Sequence, residues 1–308
     1  MAKFTLNRAA TGLLVIFTVA TLTFFLLRVL PGGPFDTDKV LPPEIEYNIA
    51  KKYRLTEPVW KQYLFYISDL SRGDFGPSYK YIDRSVNDII RDAFPVSLKL
   101  GAVALLLSVF SGIGLGVASS LNPRGAVDIF GVTVSTALVS VPSFVIGAVL
   151  VYALSIRLGL LPAALWGRPE HYVLPAITLA AGPTAYLARL VRSSMLEVSN
   201  APFVVTARAK GVTRTKIVLK HILKNALIPI VTVLGPIAAY LVTGSFVVEQ
   251  IFEIPGMGKF FVTAVSNRDY PLVMGITVVY TMVLVLANFS VDICYAYIDP
   301  RIKFGKGH

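Results

Sequence analysis

Long apolar segments dominate the chain, and their lengths predict helices that cross a membrane. A bilayer core requires about 17–25 mostly apolar residues in helical form. Six segments meet this requirement: Ala9–Leu30, Leu100–Leu121, Ile129–Ile156, Tyr172–Ala188, Asn225–Val248 and Tyr270–Val291. Only the first contains a charge, Arg28, which lies near the end and is expected to reach the headgroups. The pattern therefore predicts an all-α, polytopic membrane protein with six transmembrane helices.

Composition supports this class and excludes others. Of the 308 residues, 55% are hydrophobic and 15% are charged, and the mean hydropathy is +0.66. These values exclude a disordered chain and an ordinary soluble enzyme. The net charge of +11 is the excess that cytoplasmic loops give a membrane protein, so we expect no nucleic-acid partner. The single cysteine, Cys294, excludes an internal disulfide framework and a cysteine-based zinc site.

The distribution of lysine and arginine predicts the orientation in the lipid bilayer. With six spans, both termini and two of the loops share one side, which holds 14 basic residues, against four in the two short loops opposite. Both termini are therefore predicted to be cytoplasmic. The loop at 31–93 is then extracytoplasmic, and the apolar-periodic run Val59–Leu70 predicts that it folds partly as a helix. Ala9–Leu30 exceeds a signal-peptide core and is predicted to be retained.

Catalytic chemistry is not expected on this chain. No His-Glu-x-x-His motif occurs, and none of the six predicted segments contains His, Asp or Glu. Gly256–Phe260 includes Gly-Lys but lacks the spacing and the Ser/Thr of a phosphate-binding loop. We therefore expect no catalytic residue, no metal site and no cofactor on this chain, and any energy for transport comes from a partner. Pro142, Pro183 and Pro236 are expected to kink their helices rather than to break them.

The loop after the fourth span predicts a compact projection. Asn200 is a candidate N-cap, and Pro202 suits the first turn of a helix over Phe203–Lys210 that exposes Ala207. Gly211 then ends this helix with a positive φ, and Thr213 begins a second helix over Arg214–Leu223. Two short helices joined at a glycine could fit the cleft of another protein. The alternative is an ordinary basic loop on the cytoplasmic side.

The segment FVVTARAKGVTRTKIVLKHILKNALIP, Phe203–Pro229, resembles the coupling segment of ABC importer permeases of the oligopeptide/dipeptide class. The general motif of that family is Glu-Ala-Ala, three residues, then Gly; only Ala207 and Gly211 match it here. Resemblance extends to LRVLPGGPF (27–35), WKQYLFYISDLSRGDFGPSYKY (60–81), FPVSLKLG (94–101), VPSFVIG (141–147), ARLVRSSMLEV (188–198), FEIPGMGKFFVTAVSNRDYPLV (252–273) and DPRI (299–302).

The resemblance implies a type I ABC importer permease fold with a folded outer loop. The cytoplasmic N-terminus and first helix occupy 1–30, the permease core 94–298 with coupling helices at 203–223, and the cytoplasmic tail 299–308. The residues implied to couple the chain to an ATPase are Phe203, Thr206, Ala207, Arg208, Ala209, Lys210, Gly211 and Arg214. Arg189 and Arg192 are interpreted either as anchors of this segment or, preferably, as phospholipid anchors.

The resemblance also implies partners, location and substrate. Expected partners are a homologous second permease, two ATP-binding subunits that carry the ATP and magnesium, an extracytoplasmic peptide-binding protein and the peptide. The expected location is a bacterial plasma membrane, the inner membrane if Gram-negative. LPPE at 41–44 and the DFGPSYKY run favour an oligopeptide permease of the B type. Related importers of dipeptides, murein peptide, glutathione, nickel or peptide antibiotics, and a non-ABC secondary carrier, are the alternatives.

Overall fold

The computed structural model describes residues 2–31, 33, 35, 47 and 51–298, and these residues form helices and connecting turns with no β-sheet. The segments LPPE and DPRI and the tail at 299–308 lie outside the described residues. The helices are α1 (Ala2–Val29), α2 (Val59–Ser71), α3 (Val86–Leu121), α4 (Ala126–Ser140), α5 (Ser143–Leu150), α6 (Glu170–Ser199), α7 (Pro202–Ala209), α8 (Arg214–Lys216), α9 (Lys224–Ala226), α10 (Ile228–Val242), α11 (Phe246–Ile251), α12 (Met257–Ser266) and α13 (Tyr270–Ile298). Two π-helical segments, Val151–Arg157 and Ile217–Leu223, continue α5 and join α8 to α9.

The third predicted span is not one helix, which corrects the sequence-based prediction. Within the described residues, five spans are long and apolar enough to cross a membrane. The sixth is a bent pair, Ala126–Ser140 and Ser143–Arg157, with an angle of 106° between its halves. The break falls at Pro142, which has no N–H to donate to the carbonyl four residues earlier and crowds that carbonyl with its ring. Pro183 and Pro236, in contrast, lie inside continuous helices.

The fourth and fifth spans also differ from prediction. Helix α6 runs well beyond the predicted Tyr172–Ala188, and 61% of its most apolar window is buried, more than in any other candidate span of the described residues. The fifth span breaks between α10 and α11, where Gly244 has a φ of +81°. It also contains the fully buried Glu249, which overturns the expectation of spans without acidic residues. The Ser97 hydroxyl donates to Glu249 Oε1 at 2.9 Å.

The chain divides into two compact units. The core unit comprises 96–255 together with the part of α13 that follows residue 282. It contains two clusters of buried apolar side chains, and α6 contributes to both: Leu174 and Leu179 to one, Leu187 and Val191 to the other. Close helix packing in this unit depends on glycine, since a Cβ on Gly101 would lie 2.4 Å from the Leu241 carbonyl oxygen. Helix α6 is therefore the centre of the core unit.

The loop unit comprises 2–95 and 256–282. Helix α2, Val59–Ser71, confirms the helix predicted within the loop. Arg28 donates to Gln62 Oε1 from two guanidinium nitrogens, at 3.0 and 3.2 Å, so this charge binds a side chain of the loop. The buried Asp269 carboxylate accepts from the Ser78 hydroxyl and, at 3.1 Å, from the Tyr79 N–H. These bonds tie the loop to the start of α13.

Candidate coupling site

The projection after the fourth span begins with helix α7, whose first turn is set by proline. Ala201, with φ −66° and ψ 145°, is the N-cap, and Pro202 occupies the first helical position, where a missing N–H costs nothing. Asn200, the predicted N-cap, instead ends α6: its backbone N–H donates to the Glu197 carbonyl. The predicted helix is therefore confirmed, whereas the predicted cap is wrong by one residue.

Gly211 ends α7 in the left-handed conformation, as predicted. Its φ is +76°, and its N–H donates to the Arg208 carbonyl at 3.0 Å. The next N–H, of Val212, reaches back to the Ala207 carbonyl at 3.2 Å. These two bonds form a Schellman motif, in which a residue without Cβ allows the chain to reverse and satisfy the last helical carbonyls. The reversal fixes the direction in which the chain leaves α7.

Ala207 faces the protein interior, which corrects the prediction that it is exposed. Ala207 and Val204 are three residues apart, lie on one face of α7 and retain 7% and 0% of their surface. They pack in one apolar cluster with Val191 of α6 and with Ile217 after α8. A small side chain at this position allows α7 to approach α6 closely. The Val204–Ala207 spacing was the sequence signal for this buried face.

The exposed face of α7 is formed by the other candidate residues. Phe203 and Val205 keep 46% and 54% of their surface accessible, beside charged side chains. Thr206, Arg208, Ala209, Lys210, Gly211 and Arg214 are also exposed. Between Phe203 and Lys224 there are six lysines and arginines and no acidic residue. The projection therefore presents a hydrophobic patch within a basic surface, a combination that suits a protein partner with an apolar, acidic cleft.

The second half of the projection is continuous with the fifth span. Thr213 precedes α8 in the extended N-cap conformation, as predicted, although its side chain accepts no capping bond. The helix does not end at Leu223, which corrects the predicted boundary. It continues through the π-helical segment and α9, and α10 follows at once. No glycine or proline interrupts 214–227, so nothing stops the helix there. Helix α8 is thus joined to the fifth span by a nearly continuous helix.

Arginine side chains attach the projection to the core unit. Arg214 donates to the Leu121 carbonyl at the end of α3 at 3.0 Å, and Arg208 donates to the Ser199 carbonyl at the end of α6 at 3.5 Å. Both contacts use charged donors on helix carbonyls that have no partner within their own helix. Together with the buried cluster, they make the projection a fixed part of the core unit.

Arg192 forms an ion pair that the sequence did not predict. Its guanidinium binds both carboxylate oxygens of Asp128, and the Nη2–Oδ2 distance is 2.7 Å. Asp128 is buried and also accepts the Arg124 N–H at 2.8 Å. Arg192 therefore joins α6 to the start of α4. Its partner lies 64 residues away in the chain, a distance across which pairing cannot be inferred from one sequence.

Comparison with known proteins agrees with this architecture. An amino acid ABC transporter superimposes with a TM-score of 0.54 at 16% identity, covering 68% of this chain and 94% of that one. The inward-facing MetNI methionine ABC transporter gives a TM-score of 0.54 at 17% identity, covering 68% and 96%. At such low identity these likenesses show the fold alone, which is that of type I ABC importer permeases.

Sequence comparison extends the likeness to nearly the whole chain. The family described as "binding-protein-dependent transport system inner membrane component" matches residues 111–304. The Haemophilus influenzae oligopeptide transport system permease protein OppB is 45% identical over 99% of this chain and 100% of its own length. The Bacillus subtilis dipeptide transport system permease protein DppB is 43% identical over 99% of both chains. The Escherichia coli OppB is 41% identical over 99% and 100%. The chain therefore belongs to the family of binding-protein-dependent transport system inner membrane components.

Proposed function

We propose that this chain is the permease subunit of an ATP-driven importer that takes up peptides, including oligopeptides, across a bacterial plasma membrane. The observation that carries the proposal is identity of 41–45% along almost the full length to permeases named for oligopeptide or dipeptide transport. The identity is 43% to a dipeptide permease and 45% to an oligopeptide permease, so identity alone does not distinguish dipeptides from longer peptides as the substrate. The proposed substrate class is therefore peptides in general, with oligopeptides as the favoured length.

The geometry of α7 supports coupling to an ATPase. Four contacts make the projection rigid: the Schellman turn, the buried Val204–Ala207 face and the two arginine bonds. In the proposed mechanism, ATP binding closes a pair of partner ATPases, which move α7. Helix α7 packs on α6, and the helix beginning at α8 runs into the fifth span, so both spans respond. A partner can shift the permease between two states only if it contacts those states differently.

The proposed assembly has five kinds of component: this chain, a homologous second permease, two ATP-binding subunits, an extracytoplasmic peptide-binding protein and the peptide. ATP and magnesium bind the partner ATPases in this proposal, and this chain supplies the translocation path and the coupling surface. The proposed orientation, with both termini cytoplasmic, rests on the 14-to-four excess of basic residues on one side. It places α7 in the cytoplasm, where the ATPases are.

Uptake by reconstituted proteoliposomes tests the proposed function. The full complex is assembled with the binding protein, and entry of labelled di-, tri- and pentapeptides is followed with and without ATP. We expect ATP-dependent uptake by the complex, and neither uptake nor ATP hydrolysis by this chain alone. Competing nickel and glutathione serve as controls for the related importers. ATP hydrolysis without peptide uptake by a fully assembled complex would contradict the proposal, as would peptide uptake by this chain alone.

A further inference from the structure

A cavity of about 420 Å³ opens where the third span is broken, within the core unit. Its walls come from the end of α4, the start of α5, the middle of α6 and α10, and they include Pro142, Pro183, Tyr186, Tyr240 and Arg189. This volume lies within the range of about 300–1,000 Å³ that small-molecule sites occupy. Most of the lining is apolar, and Arg189 is its only charged residue. The cavity therefore combines apolar walls, which can accept varied side chains, with one cation.

Arg189 directly follows the apolar run Tyr172–Ala188 of α6, which places it near the cytoplasmic edge of the bilayer core in the proposed orientation. Helix α6 has 30 residues and is about 45 Å long, so it exceeds a bilayer core of about 30 Å. When the apolar run Tyr172–Ala188 is centred on the bilayer, Arg189 lies about 14 Å from the midplane, since each residue rises about 1.5 Å. The bend at Pro142 lies deeper, because the 15 residues of α4 separate it from the start of that helix by about 22 Å. An ionisable side chain at this edge stays hydrated and can meet an anion in the cavity.

Arg192, one turn further along α6, has an ion-pair partner that Arg189 lacks among the described residues. Arg192 is held by Asp128 of α4. The described residues provide no ion pair or hydrogen bond for Arg189, and its side chain is exposed. A guanidinium is always charged and presents donors in a planar fork that matches a carboxylate. An anion entering the cavity would therefore meet a prepared binding group.

Two prolines remove backbone hydrogen bonds beside the same cavity. Pro142 and Pro183 have no N–H, so neither can donate to the carbonyl four residues earlier, at Leu138 and Leu179. Both of these residues line the cavity. Backbone carbonyls released in this way accept N–H groups from a bound molecule or from water. The cavity thus places a carboxylate-binding cation beside two residues whose carbonyls lack the usual helical N–H donor.

We propose that this cavity is a binding site on the peptide translocation path. In this site the Arg189 guanidinium binds the C-terminal carboxylate of the transported peptide. This proposal rests on the proposed function and adds to it the residue and the chemical group that are recognised. Binding at the terminal carboxylate is independent of peptide sequence, and the apolar walls accept varied side chains. An acidic side chain of the peptide and a lipid phosphate carry similar charge, so the test must separate these three anions.

The test compares a neutral tripeptide with its C-terminal amide, using the full complex in proteoliposomes. The measured quantity is the uptake ratio of acid to amide, because selection by the binding protein contributes the same factor to this ratio in every permease variant. We expect Arg189→Ala to lower this ratio about tenfold, near the lower end of what a charge-assisted hydrogen bond contributes. Arg189→Lys should retain most of the ratio. Arg157→Ala removes a charge from the core unit outside the cavity and should leave the ratio unchanged.

Several results would overturn the inference. If Arg189→Ala lowers acid and amide uptake equally, the side chain is structural or serves every substrate alike. If its effect disappears in vesicles without anionic lipid, the guanidinium binds lipid phosphate. If only peptides with an acidic side chain lose uptake, the recognised group is that side chain. Peptide-stimulated ATP hydrolysis by each variant reports assembly. A wild-type complex that imports no peptide would instead contradict the proposed function, so the two failures are distinguishable.

Discussion

Replacement of Gly211 by valine tests whether the turn after α7 must be left-handed. The φ of Gly211 is +76°, and no atom lies within 4 Å of a Cβ built there. Added bulk therefore meets open space, and the cost is one of backbone conformation alone. For a residue with Cβ this conformation costs about 1–2 kcal/mol. Relaxing the turn instead would sacrifice the two Schellman bonds, worth about 0.5–1.5 kcal/mol each.

The strain and the lost bonds are similar in size, so valine should populate both the native and the relaxed turn. A change of about 1–2 kcal/mol alters the ratio of the two by roughly 5–30-fold. Since the Schellman turn directs the exposed face of α7, we expect Gly211→Val to lose most peptide-stimulated ATP hydrolysis in the assembled complex. Gly211→Asn is the matched control, because asparagine also adds a side chain but tolerates a positive φ.

The assay measures ATP hydrolysis with and without binding protein and peptide, at equal amounts of assembled complex. We expect stimulated hydrolysis to be low in the valine variant and close to wild type in the asparagine variant. Equal activity in both variants and wild type would show that coupling does not need the left-handed turn. Equal loss in both would show that bulk at the partner surface, rather than backbone conformation, is responsible.

Three further predictions concern topology, packing and pH. For topology, single cysteines replace Lys80 and Lys216 in a cysteine-free background, in cells with a permeabilised outer membrane. A membrane-impermeant maleimide should label the cysteine at position 80 but not the one at position 216. The reverse pattern would contradict the proposed orientation. Asp128→Asn should destabilise the core unit by about 1–3 kcal/mol, because it weakens a charged bond to Arg192, and thermal unfolding in detergent should report a lower midpoint. An unchanged midpoint would mean that the pair contributes nothing. Burial raises the pKa of Tyr79 to about 12. The folded loop unit therefore holds the Tyr79 proton more tightly than the unfolded chain does. The free energy of unfolding that this proton contributes is lost as pH rises from about 10 to about 12. Burial also raises the pKa of Tyr66 to about 12, so absorbance titration should show more than one late-ionising tyrosine, and Tyr79→Phe should remove one of them. Ionisation of every tyrosine near pH 10 would refute this assignment.

Apolar length and glycine position allowed much of the fold to be predicted from the sequence. Segment lengths identified the membrane spans, because few soluble elements contain so many consecutive apolar residues. Gly211 identified the end of α7, because this conformation strains other residues. The loop helix followed from its apolar period. These features are local, so a single sequence contains enough information to determine them.

The incorrect predictions depended on tertiary contacts. Alanine suits either a buried or an exposed position, and the Val204–Ala207 spacing marks one face of α7 without showing that Val191 of α6 and Ile217 cover it. Pro142 breaks its span whereas Pro183 does not, a difference that depends on the neighbouring helices. Glu249 lies one residue beyond the predicted end of the fifth span, and its burial depends on packing that includes the Ser97 contact. Such outcomes are determined by residues distant in sequence, which a local pattern does not specify.

Site-directed crosslinking tests the coupling role of α7 most directly. Single cysteines are placed at the exposed Phe203 and, as a matched control on the same helix, at the buried Ala207. In the full complex, we expect the cysteine at Phe203 to crosslink to a cysteine in the ATPase cleft, with a yield that changes when ATP is bound. The cysteine at Ala207 should crosslink poorly in both states. If the cysteine at Phe203 instead reacts freely with a bulky soluble maleimide in the assembled complex, α7 does not contact the ATPase and the proposed coupling is wrong.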